Sequence, residues 1–89
     1  MDIEFDPKKR EQTLRLRRLD FAEAGRIFED FHITVEDERE YDETRLITLG
    51  RLGRKIVVCV WTERNGNRRI ISMREAEKDE RETYNLYRP

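Results

Sequence analysis

The apolar positions along this chain change period several times, and each change marks an element. Ile3-Glu4-Phe5 alternates and predicts a short first strand. Asp6-Pro7 follows, a capping residue and then a proline whose missing N–H does no harm at a helix start, so a helix is expected over 7–18. Leu14 is its clearest apolar anchor. Asp20-Phe21-Ala22-Glu23 has the form of a capping box, in which each carboxylate reaches the other's backbone N–H. Phe21, Ala24, Ile27, Phe28 and Phe31 then fall on one stripe, predicting a second helix over 21–30 with an aromatic core face.

The remainder reads mostly as strand. His32 to Val35 predicts one, the acidic segment 36–43 an exposed loop, and Thr44 to Arg51 the next strand, turned by Leu52-Gly53. Residues 55–62 are apolar on both alternating faces, the mark of a central strand covered on both sides. Asn65-Gly66 is a hairpin signal, because both residues tolerate positive φ, and Arg68 to Ser72 follows as the last strand. Ser72-Met73-Arg74-Glu75 has the form of a second capping box, opening a closing helix to about Tyr84. Met73, Ala76, Glu80, Thr83, Tyr84 and Tyr87 lie toward one side of it. The expected order is β-α-α-β-β-β-β-α: an α+β fold, one domain over 1–89, with an antiparallel meander, two N-terminal helices and a C-terminal helix.

Composition adds that the core is thin. Hydrophobic residues make up 36% of the 89 and charged ones 44%, so the surface is densely charged and a partner covering one face would stabilise it. Cys59, the single cysteine, sits in the apolar run Ile56 to Trp61 and reads as a buried small hydrophobe. The absence of a leading apolar segment or a membrane-length one sets the expectation of a cytoplasmic protein.

The net charge of −1 hides a dipolar chain. Residues 44–74 carry eight basic side chains and one acidic one, whereas 36–43 carries six acids and one base. Local fields of this kind steer charged ligands whatever the total. Metal and nucleophile chemistry find little support: His32 is the lone histidine, no spacing resembles a zinc site, and no phosphate-cradling glycine pattern occurs. What remains is an arginine set. Arg64 lies beside the hairpin tip, Arg69 on the last strand, Arg74 in the expected first helical turn, and Arg81 two turns further on the same face. Guanidinium forks bind phosphate bidentately and stay charged. Tyr84, three residues after Arg81, is placed to stack on a base. The same arginines also suit a solvated charged face or a protein interface.

These residues resemble the BrnT family of ribonuclease toxins. Phe5-Asp6-Pro7-x-Lys9 is similar to the family's F-x-W-D-x-x-K opening, and Asp20-Phe21-Ala22-Glu23-Ala24 to its S-F-E-E-A. Gly50-Arg51, Val60-Trp61-Thr62-Glu63-Arg64, Arg69-Ile70-Ile71-Ser72-Met73-Arg74-Glu75-Ala76 and Glu80-Arg81-x-x-Tyr84 follow in the family's order. The resemblance implies a RelE-like fold and a metal-independent endoribonuclease without cofactors, which arrests growth by cutting RNA. It also implies a cognate BrnA-type antitoxin, binding the toxin in a hetero-oligomer and supplying contact with DNA. Carried onto this chain, the site residues are Arg64, Arg69, Arg74, Glu80, Arg81 and Tyr84, with Lys9, Arg17 and Arg51 as RNA-binding supports. Glu80 or Glu63 is the candidate base. Leu16-Arg17 stands where the family reads Lys-His, and an arginine cannot act as a base near neutral pH. The alternative is a non-catalytic module that binds a partner within an antitoxin–DNA repressor complex.

Overall fold

The computed structural model describes residues 1–39 and 41–89; Glu40, within the acidic segment, lies outside them. Eight elements succeed one another: β1 (Ile3–Phe5), α1 (Pro7–Arg17), a 3₁₀ helix (Phe21–Glu29), β2 (His32–Glu36), β3 (Leu46–Leu52), β4 (Lys55–Arg64), β5 (Asn67–Glu75) and α2 (Lys78–Tyr87). The fold is α+β, with the element order expected from the pattern. Strands β2 to β5 form the antiparallel meander. The sheet is nevertheless mixed, because β1 adds to its edge in parallel with β5, giving the order β1-β5-β4-β3-β2.

The second helix is 3₁₀ throughout. Phe21, Ala24 and Ile27 are its fully buried residues, spaced by three. Three residues per turn puts that series on one line, where an α-helix would let it drift. Asp20 caps it, accepting from the Ala22 N–H at 2.9 Å. The other half of the expected capping box is not made; Glu23 turns to Arg26 at 3.9 Å. Arg10 instead takes Asp20 with two guanidinium bonds, 2.7 and 3.0 Å, tying α1 to this helix and holding the Asp20 carboxyl below its ordinary range.

Cross-strand partners share a sheet face, and along a regular strand the faces alternate. One face presents Thr48, Gly50, Val57, Cys59, Trp61, Ile70 and Met73, all buried beneath the 3₁₀ helix. Burial raises the Cys59 thiol to about 12. Trp61 Nε1 donates to Thr48 Oγ1 at 2.8 Å, satisfying the indole inside the core. Gly50 lets the 3₁₀ helix approach: a Cβ there would meet Ile27 Cγ2 at 2.6 Å.

The other two helices flank this sandwich. Helix α1 buries none of its residues. It lies beside the part of β5 that β1 leaves bare, since β1 reaches only Arg68–Ile70. There Arg17 donates to the Met73 carbonyl at 2.9 Å, occupying an otherwise open strand edge. Helix α2 buries Tyr84, whose hydroxyl donates to the Phe31 carbonyl at 3.2 Å and whose ring packs 5.5 Å from that of Phe31. No helix among the described residues is long and apolar enough to cross a membrane.

Candidate functional site

The second expected capping box is strand. Ser72 to Glu75 completes β5, and α2 starts only at Lys78, behind the N-cap Glu77. Arg74 is therefore a strand residue, not part of a helical face shared with Arg81. It nevertheless joins the other strand arginines, through a bulge. Val60 pairs with Ser72 and Trp61 with Ile70, so Ile71 is an extra residue in β5. Arg69 and Arg74 are five positions apart and would point to opposite faces of a regular strand. The inserted residue resets the alternation. Arg69 stands opposite Thr62 and Arg74 opposite Val58, on the face away from the 3₁₀ helix. Arg64, two residues beyond Thr62, shares it, as does Arg51 opposite Ile56.

Three of these guanidiniums each meet a carboxylate from a different part of the chain. Arg69 reaches Glu4 of β1 at 3.3 Å, and Arg64 lies 3.8 Å from Glu43 in the β2–β3 connection. Arg74 grips Glu80 of α2 with two bonds of 2.8 Å. That grip, more than any other contact, lowers the Glu80 carboxyl from its ordinary value and raises Arg74. Glu80 also accepts the Glu77 N–H at 2.8 Å, so it is a counter-ion and helix cap at once. All three arginine side chains keep between 30% and 48% of their exposure. Solvent reaches them, and a stronger anion can compete for them.

The other expected site residues scatter. Arg81 donates to the Ala76 carbonyl at 2.8 Å, closing the α2 N-terminus. Tyr84 is 1% exposed, so its expected stacking on a base gives way to a role in the core. Arg51 pairs with Asp30 at 2.7 Å, beside the start of β2. Glu63, the other candidate base, sits opposite Arg68 and so belongs to the core-side face. His32 is there too, its ring edge-on to Phe28 with centroids 5.3 Å apart. Arg68 stacks 3.8 Å over Phe28 and 5.2 Å from Trp61, a structural cation among aromatics.

Lys9 and Arg17 line a cleft of about 480 Å³ between α1 and the β2–β3 connection. Its other walls include Leu16, Arg39, Tyr41, Arg45 and the β5 residues Ile71 and Ser72. Arg39, Tyr41 and Arg45 were not singled out from the sequence, because they lie in or beside a segment whose acidity dominates its reading. Asp37 explains how they are held. Its carboxylate accepts from the Arg39 backbone and guanidinium, and the guanidinium bonds lower it to about 2. Its N–H donates to the Arg45 carbonyl at 2.8 Å, closing the loop. Among the described residues, no three His, Cys, Asp or Glu side chains gather as metal ligands would.

The fold and this face define a small α+β protein with an arginine-bearing sheet surface. The chain belongs to the BrnT family: residues 5–80 match the family model described as the ribonuclease toxin, BrnT, of type II toxin–antitoxin systems. Membership implies a protein antitoxin as partner. Comparison with curated proteins and with solved structures returned no match.

Proposed function

We propose that this chain is a metal-independent endoribonuclease of RelE-like fold, which cleaves RNA to stop translation and growth and is neutralised by a BrnA-type antitoxin. The observation that supports it most is the bulge-aligned trio Arg64, Arg69 and Arg74 on one sheet face. Each is held by a carboxylate that a phosphate can displace. In the proposed reaction the substrate's own 2′-oxygen attacks the adjacent phosphorus. The new 2′-O–P bond forms as the 5′-O–P bond breaks, leaving a 2′,3′-cyclic phosphate and a 5′-hydroxyl. The 2′-hydroxyl proton passes to solvent, and a solvent proton completes the 5′-hydroxyl. The three guanidiniums stabilise the charge that builds on the phosphoryl oxygens. Glu80 is assigned as the counter-ion that positions Arg74, not as the base.

Expression of Arg69→Ala/Arg74→Ala tests the assignment. The folded double variant is expected to lose both growth arrest and RNA cleavage; undiminished toxicity would overturn it.

The second reading, a non-catalytic module in an antitoxin–DNA repressor complex, rests on the engagement of Glu80 and on Leu16-Arg17 replacing the family's Lys-His. Under it, the purified chain leaves RNA intact.

A further inference from the structure

We infer that the cleft between α1 and the β2–β3 connection holds an unpaired nucleotide next to the scissile phosphate, with Tyr41 and Arg45 as its stacking platform. The inference rests on the ribonuclease reading and names where the substrate strand continues. Three observations carry it. The cleft lining holds four cations, Lys9, Arg17, Arg39 and Arg45, and, among the described residues, no acidic side chain. Its volume of about 480 Å³ suits a nucleotide. Ser72, one of its lining residues, pairs with Val60 and so lies on the same sheet face as Arg69 and Arg74, between them along β5.

The platform is already assembled. The Arg45 guanidinium lies 3.7 Å from the Tyr41 ring centroid, and Arg39 approaches the same ring at 5.5 Å. Tyr41 is half-buried, and the Arg45 side chain keeps 28% of its exposure. Its Nε is buried, 3.8 Å from Glu43 Oε1, with no hydrogen-bond partner among the described residues. Planar groups of this kind, ordered before the ligand arrives, are what an unpaired base extends by stacking. Asp37 holds the platform in place through Arg39 and the Arg45 carbonyl. Lys9 and Arg17, on the opposite wall, then face the nucleotide's phosphate. The ligand class is single-stranded RNA: a duplex offers no free base to stack.

The test uses a single-stranded 2′-O-methylated oligoribonucleotide, which cannot cleave itself because its nucleophile is blocked. Its binding is followed by fluorescence anisotropy, beside cleavage of unmodified RNA by the same proteins. Tyr41→Ala and Arg45→Ala are each expected to weaken binding about 5- to 150-fold, the range for losing one stacked base. Tyr41→Phe, which keeps the ring, recovers most of it. Lys9→Gln, on the exposed face of α1, is expected to lower the slope of log affinity against log salt by about 0.7. That readout holds even if the Tyr41 variant unfolds. Unchanged affinity in folded Tyr41→Ala with an unchanged Lys9→Gln slope overturns the inference. So does poly-glutamate binding as tightly as the RNA, which would assign the cleft to an acidic protein segment. Wild-type protein that binds the methylated strand through Tyr41 but leaves unmodified RNA intact supports the cleft and overturns the ribonuclease reading instead.

Discussion

Arg74 and Glu80 clasp across the joint between β5 and α2, two guanidinium nitrogens on two carboxylate oxygens at 2.8 Å each. The pair joins the sheet face to the helix that follows it. It also decides the chemistry left to each residue, because a carboxylate held below its ordinary range is a poor proton acceptor. Glu80→Gln is therefore expected to keep RNA cleavage within about tenfold, whereas Arg74→Ala loses about 10²- to 10³-fold, as for one transition-state donor. A Glu80→Gln loss as large as that of Arg74→Ala would make Glu80 the base.

The same pair gives a pH dependence of stability. The Glu80 carboxyl is lowered in the folded state, so its contribution is present above the ordinary carboxylate value and lost as pH falls through the folded one. Both side chains keep solvent contact, which limits the contribution to about 1 kcal/mol or less. Asp37, lowered to about 2, acts in the same direction over a window reaching further into acid. Chemical denaturation between pH 6 and 2 is expected to show wild-type stability falling toward that of Glu80→Gln and Asp37→Asn as the acid is added.

How much of this was legible in the sequence depended on whether the deciding interaction was local. Asn65-Gly66 was, and both residues take the positive φ of the hairpin turn, 54° and 78°. The stripe Phe21, Ala24, Ile27 announced a buried helix, but at a spacing of three it fits both helical types; close packing on Gly50 accompanies the tighter one. Ser72 to Glu75 misled because the capping pattern is also compatible with a strand. Pairing with β4, a long-range interaction, decides the matter. The bulge at Ile71 has no local signature at all, yet it alone puts Arg69 and Arg74 on the same face. The grouping of the strand arginines was thus foreseeable in outline, but not its means, nor the burial of Tyr84.

Tyr84 offers a direct check on that correction. Tyr84→Phe removes only the bond to the Phe31 carbonyl and is expected to cost about 0.5–1.5 kcal/mol in urea denaturation. Cleavage per folded molecule should stay unchanged. A large loss of cleavage at full stability would return the hydroxyl to the site.

Gly50 reports on the seat of the 3₁₀ helix. Gly50→Ala forces its Cβ against Ile27 Cγ2 and, at 3.3 Å, His32 Cβ. The expected cost is about 1–3 kcal/mol, read as a lower urea midpoint at constant slope. Cys59 gives a companion signal: its thiol, fully buried and raised to about 12, should resist a thiol reagent at pH 8 until the chain unfolds.

The central claim is that arginines aligned by a strand bulge cleave RNA without a metal. Purified chain incubated with RNA in excess EDTA tests it most directly, with the product ends identified by mass spectrometry. Fragments ending in 2′,3′-cyclic phosphate and starting with 5′-hydroxyl, absent with Arg69→Ala/Arg74→Ala, are the expected result. RNA left intact in EDTA, or cut equally by the folded double variant, would contradict the account.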